Sequence, residues 1–193
     1  MIKIGITGGI GSGKSVVGEI LKLYNIPLYD ADREAKKLND TSDVVRNKLI
    51  FHFGNDIYID GLLNRKKFAE LIFNNKENLK IANSIIHPEL AKHFLEWCKN
   101  YTNSPIVAIE AAILVEAGFI HYIDKLITVY SPEQLRIERV IKRDDTSLDN
   151  VKSRINNQLP EKDRIKLSNY IITNDGKHSL LRQVSEIINN IEL

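Results

Sequence analysis

The feature that most constrains this chain is the glycine-rich segment Gly8–Ser15, whose sequence GGIGSGKS fits the pattern G-x-x-x-x-G-K-[ST]. Alternating apolar residues (Ile2, Ile4, Ile6) precede it, and apolar residues at helical spacing follow from Val17. A strand, a glycine loop and a helix in this order form an anion site, because loop N–H groups and the helix N-terminus point at the same place. The segment therefore predicts a phosphate loop rather than a chance glycine-rich turn.

Each residue type in this phosphate loop has a chemical reason. Glycines at positions 11 and 13 let the backbone curl around phosphate oxygens, where a β-carbon would obstruct it. Lys14 is expected to reach the β- and γ-phosphates, and the Ser15 hydroxyl to ligate Mg²⁺. A dinucleotide-binding G-x-G-x-x-G pattern does not fit, because position 14 is lysine. The loop therefore predicts a nucleoside triphosphate with Mg²⁺ as the ligand.

Short apolar segments outside the loop predict the other strands of a parallel sheet. They lie between helical patterns, at residues 26–29, 106–109, 126–130 and 170–173. Strands that alternate with helices form a parallel sheet with helices on both faces. Residues 33–101 interrupt the alternation because they have the pattern of consecutive helices, with Asn64 a candidate N-cap and His87-Pro88 the start of the last. We therefore predict an α/β fold with a helical insertion.

The composition excludes several kinds of site and partner. Lys and Arg number 27 against 25 Asp and Glu, a net charge of +2, which is too weak an excess for nucleic acid as the main partner. Cys98 is the single cysteine of the sequence, so an intramolecular disulfide and a cysteine metal cage are excluded. No segment approaches the roughly 20 apolar residues of a membrane span, and the N-terminus is unlike a signal peptide. We therefore expect a cytoplasmic protein without a nucleic-acid or membrane partner.

A phosphate loop occurs both in GTPase switches and in kinases, and two sequence tests separate them. Ras-type switches carry Asp-x-x-Gly, but no glycine of this chain has an aspartate three residues before it. They also read guanine with Asn-Lys-x-Asp, whereas Asn47-Lys48 and Asn75-Lys76 lack the aspartate that would follow. The sequence therefore favours a kinase that phosphorylates a small-molecule hydroxyl.

Acidic residues at the expected crevice fit such a kinase. Asp30 and Asp32 follow the second strand, at the sheet edge where open α/β folds bind ligands, and Glu110 follows a later strand. One of these acids could orient the acceptor hydroxyl, and Glu110 could assist Mg²⁺. The alternative for the aspartates is a turn or a helix cap.

Three arginines supply the cations that a phosphoryl transfer needs. Arg136, Arg139 and Arg143 share one face of a helix that is expected to begin at Ser131-Pro132-Glu133, with Ser131 as its cap and Pro132 at its first position. Cations there could cover the transferring group. A solvated basic face is the alternative.

A series of short motifs extends along essentially the whole chain. The loop TGGIGSGKS (Thr7–Ser15) is followed by D-A-D-x-x-A at Asp30–Ala35. The further motifs are H-F-G (52–54), D-G-x-L-x-R (60–65), I-F (72–73), H-P (87–88), L-V-E (114–116), S-P-E (131–133), R-x-x-x-R-D (139–144), R-I-x-x-Q (154–158) and N-x-G (174–176). In this order the motifs resemble those of the dephospho-CoA kinase family.

The resemblance implies transfer of phosphate from ATP to the ribose 3′-hydroxyl of dephospho-CoA, the last step of coenzyme A synthesis. The catalytic residues that it implies are Asp32, Lys14 and Arg139. Those implied for ATP are Gly11, Ser12, Gly13, Lys14, Ser15, Val16, Arg143, Asn174 and Gly176. Asp32, Arg65 and His87 would face dephospho-CoA, and Ser15 would ligate Mg²⁺, with Glu110 acting through water. Three residues depart from the family pattern, since Glu110 and Asn169 stand where aspartate is common and Ala112 stands where proline is more usual.

The resemblance also implies a single kinase domain, residues 1–193, in three parts. The core would comprise about 1–32, 102–131 and 168–193, with a P-loop NTPase-type parallel sheet flanked by helices. A helical substrate-binding insertion would span about 33–101, and a helical lid about 132–167. Another nucleotide kinase of this fold, or a nucleotide-gated binding protein without phosphotransfer, remains an alternative.

Overall fold

The structure, a computed structural model, describes residues 1–73 and 75–191. Residue 74 of the predicted insertion and residues 192–193 of the predicted core lie outside the described residues. The strands are β1 (Ile2–Thr7), β2 (Leu28–Asp30), β3 (Tyr58–Ile59), β4 (Leu62–Leu63), β5 (Ile106–Glu110), β6 (Lys125–Tyr130) and β7 (Tyr170–Thr173). The helices are α1 (Lys14–Leu23), α2 (Ala31–Thr41), α3 (Asp43–Phe53), α4 (Arg65–Phe73), α5 (Lys76–Lys99), α6 (Glu133–Asp144), α7 (Leu148–Asn156), α8 (Glu161–Leu167) and α9 (Leu180–Asn190).

The chain divides into two compact units, which we call the core unit and the helical unit. The core unit comprises Met1–Asp30 and Tyr101–Leu193, and the helical unit comprises Ala31–Asn100. Residues 132–167, the lid of the sequence interpretation, belong to the core unit. Asp32, which the sequence interpretation assigned to the core, lies in the helical unit.

The core unit is built on a parallel sheet with the strand order β2-β5-β1-β6-β7. The central strand β1 pairs with β5 on one side and β6 on the other, so Ile4 stands opposite both Ala108 and Lys125. Side chains of β1, β5 and β6 pack with α1 and α9 in one buried cluster that includes Ile6, Val17 and Val184. In β5 the four consecutive residues Ile106–Ile109 are all buried, so both faces of that strand are covered, which explains its continuous apolar run. The α/β fold with a parallel sheet flanked by helices, predicted from the alternation, is confirmed.

The helical unit has its own apolar core. Side chains from α3, α4, α5 and the β3–β4 hairpin form a cluster around Leu49, Ile57 and Phe68. Asn64 caps α4 as predicted, because its side chain accepts a hydrogen bond from the Lys67 N–H at 3.2 Å. The hairpin was not predicted from the sequence, because its strands are only two residues each.

The predicted helix start at His87-Pro88 is wrong, since Pro88 lies inside the 24-residue helix α5. A proline within a helix removes one hydrogen bond and costs about 3 kcal/mol. Buried apolar residues continue on both sides of it, however, with Ala82 and Ile85 before it and Leu90 and Phe94 after it. Their burial offsets the cost, because each large apolar side chain contributes about 1.5–3 kcal/mol.

Candidate active site

The phosphate loop lies between β1 and α1 in the core unit. Atoms from distant parts of the chain approach its glycines closely. Gly11 and Gly13 have φ values of 78° and 94°, which disfavour residues with a side chain. A β-carbon on Gly11 would lie 2.5 Å from the carbonyl oxygen of Arg136, and one on Gly13 would lie 2.1 Å from Asn174 Nδ2. These glycines are therefore required by the close approach of other segments as well as by the curl of the loop.

Lys14 and Ser15 follow the loop at the start of α1. The Lys14 ammonium donates to the carbonyl oxygens of Gly8 and Gly9, at 3.1 and 3.4 Å. The Ser15 hydroxyl donates to Glu110 Oε1 at 2.9 Å. Since Glu110 ends β5, the neighbour of β1, the parallel sheet brings the predicted Mg²⁺ residues together at one edge.

Arg139 reaches the phosphate loop from α6. Its Nη1 donates to Ser131 Oγ at 3.1 Å and to the Gly11 carbonyl oxygen at 3.4 Å. Its Nη2 donates to the Asn174 carbonyl oxygen at 3.2 Å and to Asn174 Oδ1 at 3.5 Å. The Asn174 side chain in turn donates to the Ser12 carbonyl oxygen at 2.8 Å. Three separate parts of the chain thus hold this guanidinium beside the loop.

These groups surround a cavity of about 320 Å³. It is lined by Gly11, Gly13, Lys14, Ser15, Val16, Arg139, Val140 and Arg143. The Asp144 carboxylate accepts hydrogen bonds from Arg143 and raises the pKa of that guanidinium. A lysine, two arginines and a helix N-terminus give this cavity the electrostatics that a polyphosphate requires.

Arg136 does not share the environment of Arg139 and Arg143, although the sequence places all three on one helix face. Only 4% of Arg136 is exposed, and its Nη2 lies 3.8 Å from carboxylate oxygens of Glu133 and Glu161. Its guanidinium packs against Gly9, where a β-carbon would come within 2.1 Å of Nη1. The solvated-face alternative is therefore wrong for Arg136, which is a buried cation behind the loop.

Ser131 also differs from its expected role. The sequence predicts it as the cap of α6, but the helix is preceded by Pro132, and no side chain caps it. The Ser131 hydroxyl instead accepts the hydrogen bond from Arg139 and is fully buried. The S-P-E motif thus contributes to the site through a contact that spacing alone does not reveal.

The turn before α9 carries the last predicted ATP residues. Gly176 has a φ of 80°, which favours glycine at that position. The Asp175 carboxylate accepts hydrogen bonds from the N–H groups of Lys177 and His178, which lower the pKa of Asp175 to about 2. This turn follows β7 at the same sheet edge as the phosphate loop.

Asp32, Arg65 and His87 lie in the helical unit. Asp32 is an exposed residue in the first turn of α2, two positions after the end of β2. Arg65 begins α4 and forms an ion pair with Asp40 Oδ2 at 2.5 Å. Burial lowers the pKa of His87, so its imidazole is neutral at pH 7.

Gln158 contacts the phosphate loop, although the sequence did not predict it as a site residue. Its Oε1 accepts a hydrogen bond from the Ile10 N–H of the phosphate loop at 2.9 Å. The only sequence signal was its place in the R-I-x-x-Q motif.

The described part of the chain contains neither a cluster of metal-ligating side chains nor a membrane-spanning helix. Across residues 1–73 and 75–191, no group of three or more His, Cys, Asp or Glu residues could hold a metal ion. Over the same residues, no helix combines the length and the apolar character needed to cross a bilayer.

Comparison with known proteins decides the family. A model of the dephospho-CoA kinase family matches residues 2–179. The chain belongs to the dephospho-CoA kinase family. A dephospho-CoA kinase of Porphyromonas gingivalis is 43% identical over 192 residues, which cover 99% of this chain and 95% of that protein. A Bacteroides fragilis dephospho-CoA kinase is 38% identical over 187 residues, covering 97% and 91%.

A solved structure supports the same conclusion. The dephospho-CoA kinase of Campylobacter jejuni is 26% identical, with a TM-score of 0.70 and coverage of 98% of this chain and 96% of that one. The resemblance drawn from the motifs is thereby confirmed. As a dephospho-CoA kinase, the chain is an enzyme of the final step of coenzyme A biosynthesis, and its family implies ATP and dephospho-CoA as the substrates.

Proposed function

We propose that this chain transfers the γ-phosphoryl group of ATP to the ribose 3′-hydroxyl of dephospho-CoA, with the phosphate loop, Arg139 and Asp32 in the main roles. The observation that carries the proposal is the placement of Arg139. Its guanidinium is fixed beside the loop by Gly11, Ser131 and Asn174. A cation held in that way stabilises charge on a phosphoryl group without reorganising during the reaction.

ATP would be held by residues 11–16 and by the cations of the cavity. Lys14 would exchange its carbonyl partners in the loop for phosphate oxygens, which are stronger acceptors for an ammonium. Arg143 would add a second guanidinium on the same side as Arg139. Asn174 and Gly176 would lie along the nucleotide, with Asn174 also holding the Ser12 carbonyl oxygen.

Ser15 and Glu110 fit a Mg²⁺ ion bound to the phosphates. Both present oxygen atoms, 2.9 Å apart, and Mg²⁺ prefers oxygen ligands while keeping several waters. Ser15 would ligate the ion, and Glu110 would act through water. When bound, Mg²⁺ supplies charge neutralisation of the phosphate oxygens.

Asp32 would orient the 3′-hydroxyl and accept its proton as the hydroxyl oxygen bonds to the γ-phosphorus and ADP leaves. Arg65 and the neutral His87 would bind dephospho-CoA, so the helical unit would be the substrate-binding region. Residues 132–167 would form the lid over ATP. The cytoplasmic location expected from the sequence belongs to the same proposal and is supported by the use of ATP.

The direct test is product analysis with purified protein, ATP and Mg²⁺. We expect ATP to be consumed in step with conversion of dephospho-CoA to coenzyme A, with AMP, shikimate and dTMP as poor acceptors. Nuclear magnetic resonance of the product would show the new phosphate on the 3′-oxygen. Faster turnover of AMP or another acceptor would refute the proposed substrate while leaving the fold unaffected.

A further inference from the structure

The phosphate loop is held from outside by a side chain that no step of the proposed reaction uses. The backbone N–H of Ile10 donates to Oε1 of Gln158 at 2.9 Å, across 148 positions of the chain. The Ile10 side chain also packs against a small apolar cluster of α6 and α7, which contains Val140, Val151 and Ile155. One residue of the loop is therefore tied to residues 132–167 by both its backbone and its side chain.

Gln158 itself is held in place by a second set of bonds. Its own N–H donates to the Ile155 carbonyl oxygen at 3.1 Å, just beyond the end of α7. The N–H of the next residue, Leu159, donates to Glu116 Oε1 at 2.8 Å, and its carbonyl oxygen accepts from Arg164 Nη2 at 3.0 Å.

Arg164 is a buried support for this segment. It is 1% exposed, and its Nη2 lies 3.6 Å from the same oxygen of Glu116. Both backbone groups of Leu159 are thus fixed by a pair of opposite charges. The amide oxygen of Gln158 is consequently presented to the loop at a defined position.

Holding Ile10 in place restricts the conformations of the glycine-rich loop. Ile10 stands between Gly9 and Gly11, and glycine loses more conformational freedom on ordering than any other residue. If the loop is already ordered before ATP binds, this entropy is not lost on binding, and the affinity for ATP is higher. We propose that Gln158 is a positioning residue that orders the phosphate loop in the free enzyme. The inference rests on the proposed function, since it assigns a device to the same ATP site.

The test compares Gln158→Met with the unmodified enzyme. Methionine keeps the length of the side chain but removes the amide oxygen. We expect the Kd and KM for ATP to rise about three- to tenfold, the effect of one lost hydrogen bond, while kcat stays within about twofold. Amide exchange followed by nuclear magnetic resonance, without nucleotide, should show the Ile10 N–H exchanging at least about tenfold faster.

Asn169→Leu is the matched control. The Asn169 side-chain oxygen accepts from the Leu126 N–H at 2.8 Å, a bond of the same type between distant segments. It lies where β6 and β7 begin, which is the sheet edge opposite the phosphate loop. We expect a similar loss of thermal stability with an unchanged KM for ATP. Gln158→Glu, which retains an acceptor oxygen, should restore protection of the Ile10 amide in the absence of nucleotide.

Equal KM values in Gln158→Met and Asn169→Leu would overturn the inference. If Gln158→Met does not fold, the unmodified enzyme still decides the question, because an unprotected Ile10 amide without nucleotide would also overturn it. Failure of the protein to phosphorylate dephospho-CoA would refute the proposed function instead. ATP affinity and Ile10 exchange would still be measurable in that case.

Discussion

At the scale of single residues, Asp32 is the position on which the proposed proton transfer depends. Asp32→Asn keeps the shape of the side chain and removes its basicity. Positioned proton acceptors contribute about 10²- to 10⁴-fold to rate, so kcat should fall by that range while the Kd for ATP is unchanged. Asp30→Asn, two residues earlier at the end of β2, is the control and should lower kcat less than Asp32→Asn does. If kcat fell only slightly and by the same factor in both variants, Asp32 would not be the proton acceptor.

Arg139 is held beside the phosphate loop by four hydrogen bonds. Both of its terminal nitrogens donate hydrogen bonds, to groups from three segments of the chain. Enzymes that place an arginine on a transferring phosphoryl group can lose about 10³- to 10⁵-fold in kcat without it. Arg139→Ala should show a loss of this order, and Arg139→Lys should recover only part, because an ammonium cannot replace a planar two-pronged donor.

Arg143→Ala is the control for Arg139→Ala, because it also removes a cation from the cavity. Arg143 is paired with Asp144 and is expected to bind ATP without stabilising the transition state, so its loss should raise KM more than it lowers kcat. A near-normal kcat in Arg139→Ala would leave Arg139 with a structural role only.

At the scale of helices and strands, local signals were sufficient where packing agreed with them. β1, the phosphate loop and α1 could be predicted because apolar alternation, glycines and helical spacing follow one another within 24 residues. The α5 boundary could not, because Pro88 is a helix-start signal that burial on both sides overrides. Ser131 was predicted as a helix cap because it directly precedes Pro132. Its contact with Arg139 depends on the orientation of α6, which the local sequence does not specify.

The junction of α6 and α7 gives a pH-dependent prediction. Asp144 accepts hydrogen bonds from Arg143 and, across the junction, from Arg154 at 2.8 Å, and these lower the pKa of Asp144 to about 2. A carboxyl with a lowered pKa stabilises the folded state above its unfolded pKa, near 3.8, and this contribution disappears as pH falls towards 2. Asp144→Asn should therefore be less stable than the unmodified protein at pH 7, with the difference vanishing near pH 2.

Asp175→Asn is the control, because backbone N–H groups are the main cause that lowers the pKa of Asp175. Thermal unfolding from pH 2 to 7, at low salt and in 1 M salt, separates the two causes. Charge–charge attraction at the surface is largely screened in 1 M salt. The Asp144 effect should shrink there and the Asp175 effect should persist; equal salt sensitivity would contradict this account.

At the scale of the whole molecule, the site is assembled by contacts between distant segments. Ile10 meets Gln158, Ser12 meets Asn174 and Ser15 meets Glu110, across 148, 162 and 95 positions of the sequence. The parallel sheet accounts for the meeting of Ser15 and Glu110, which sequence reasoning could anticipate from the strand ends. Asn174 likewise reaches Ser12 because it directly follows β7, which ends at the same edge of the sheet. The Gln158 contact depends on the course of residues 132–167, which no local pattern specifies.

The division into two units predicts that the two substrates protect different parts of the chain. The proposed ATP residues all lie in the core unit, whereas Asp32, Arg65 and His87 lie in the helical unit. In hydrogen exchange, ATP with Mg²⁺ should protect residues 8–16 and 131–160, because ligand binding suppresses local opening where contacts form. Dephospho-CoA alone should protect segments within 31–100. If dephospho-CoA protected only the core unit, Arg65 and His87 would have no part in binding it, and the helical unit would lose its proposed role.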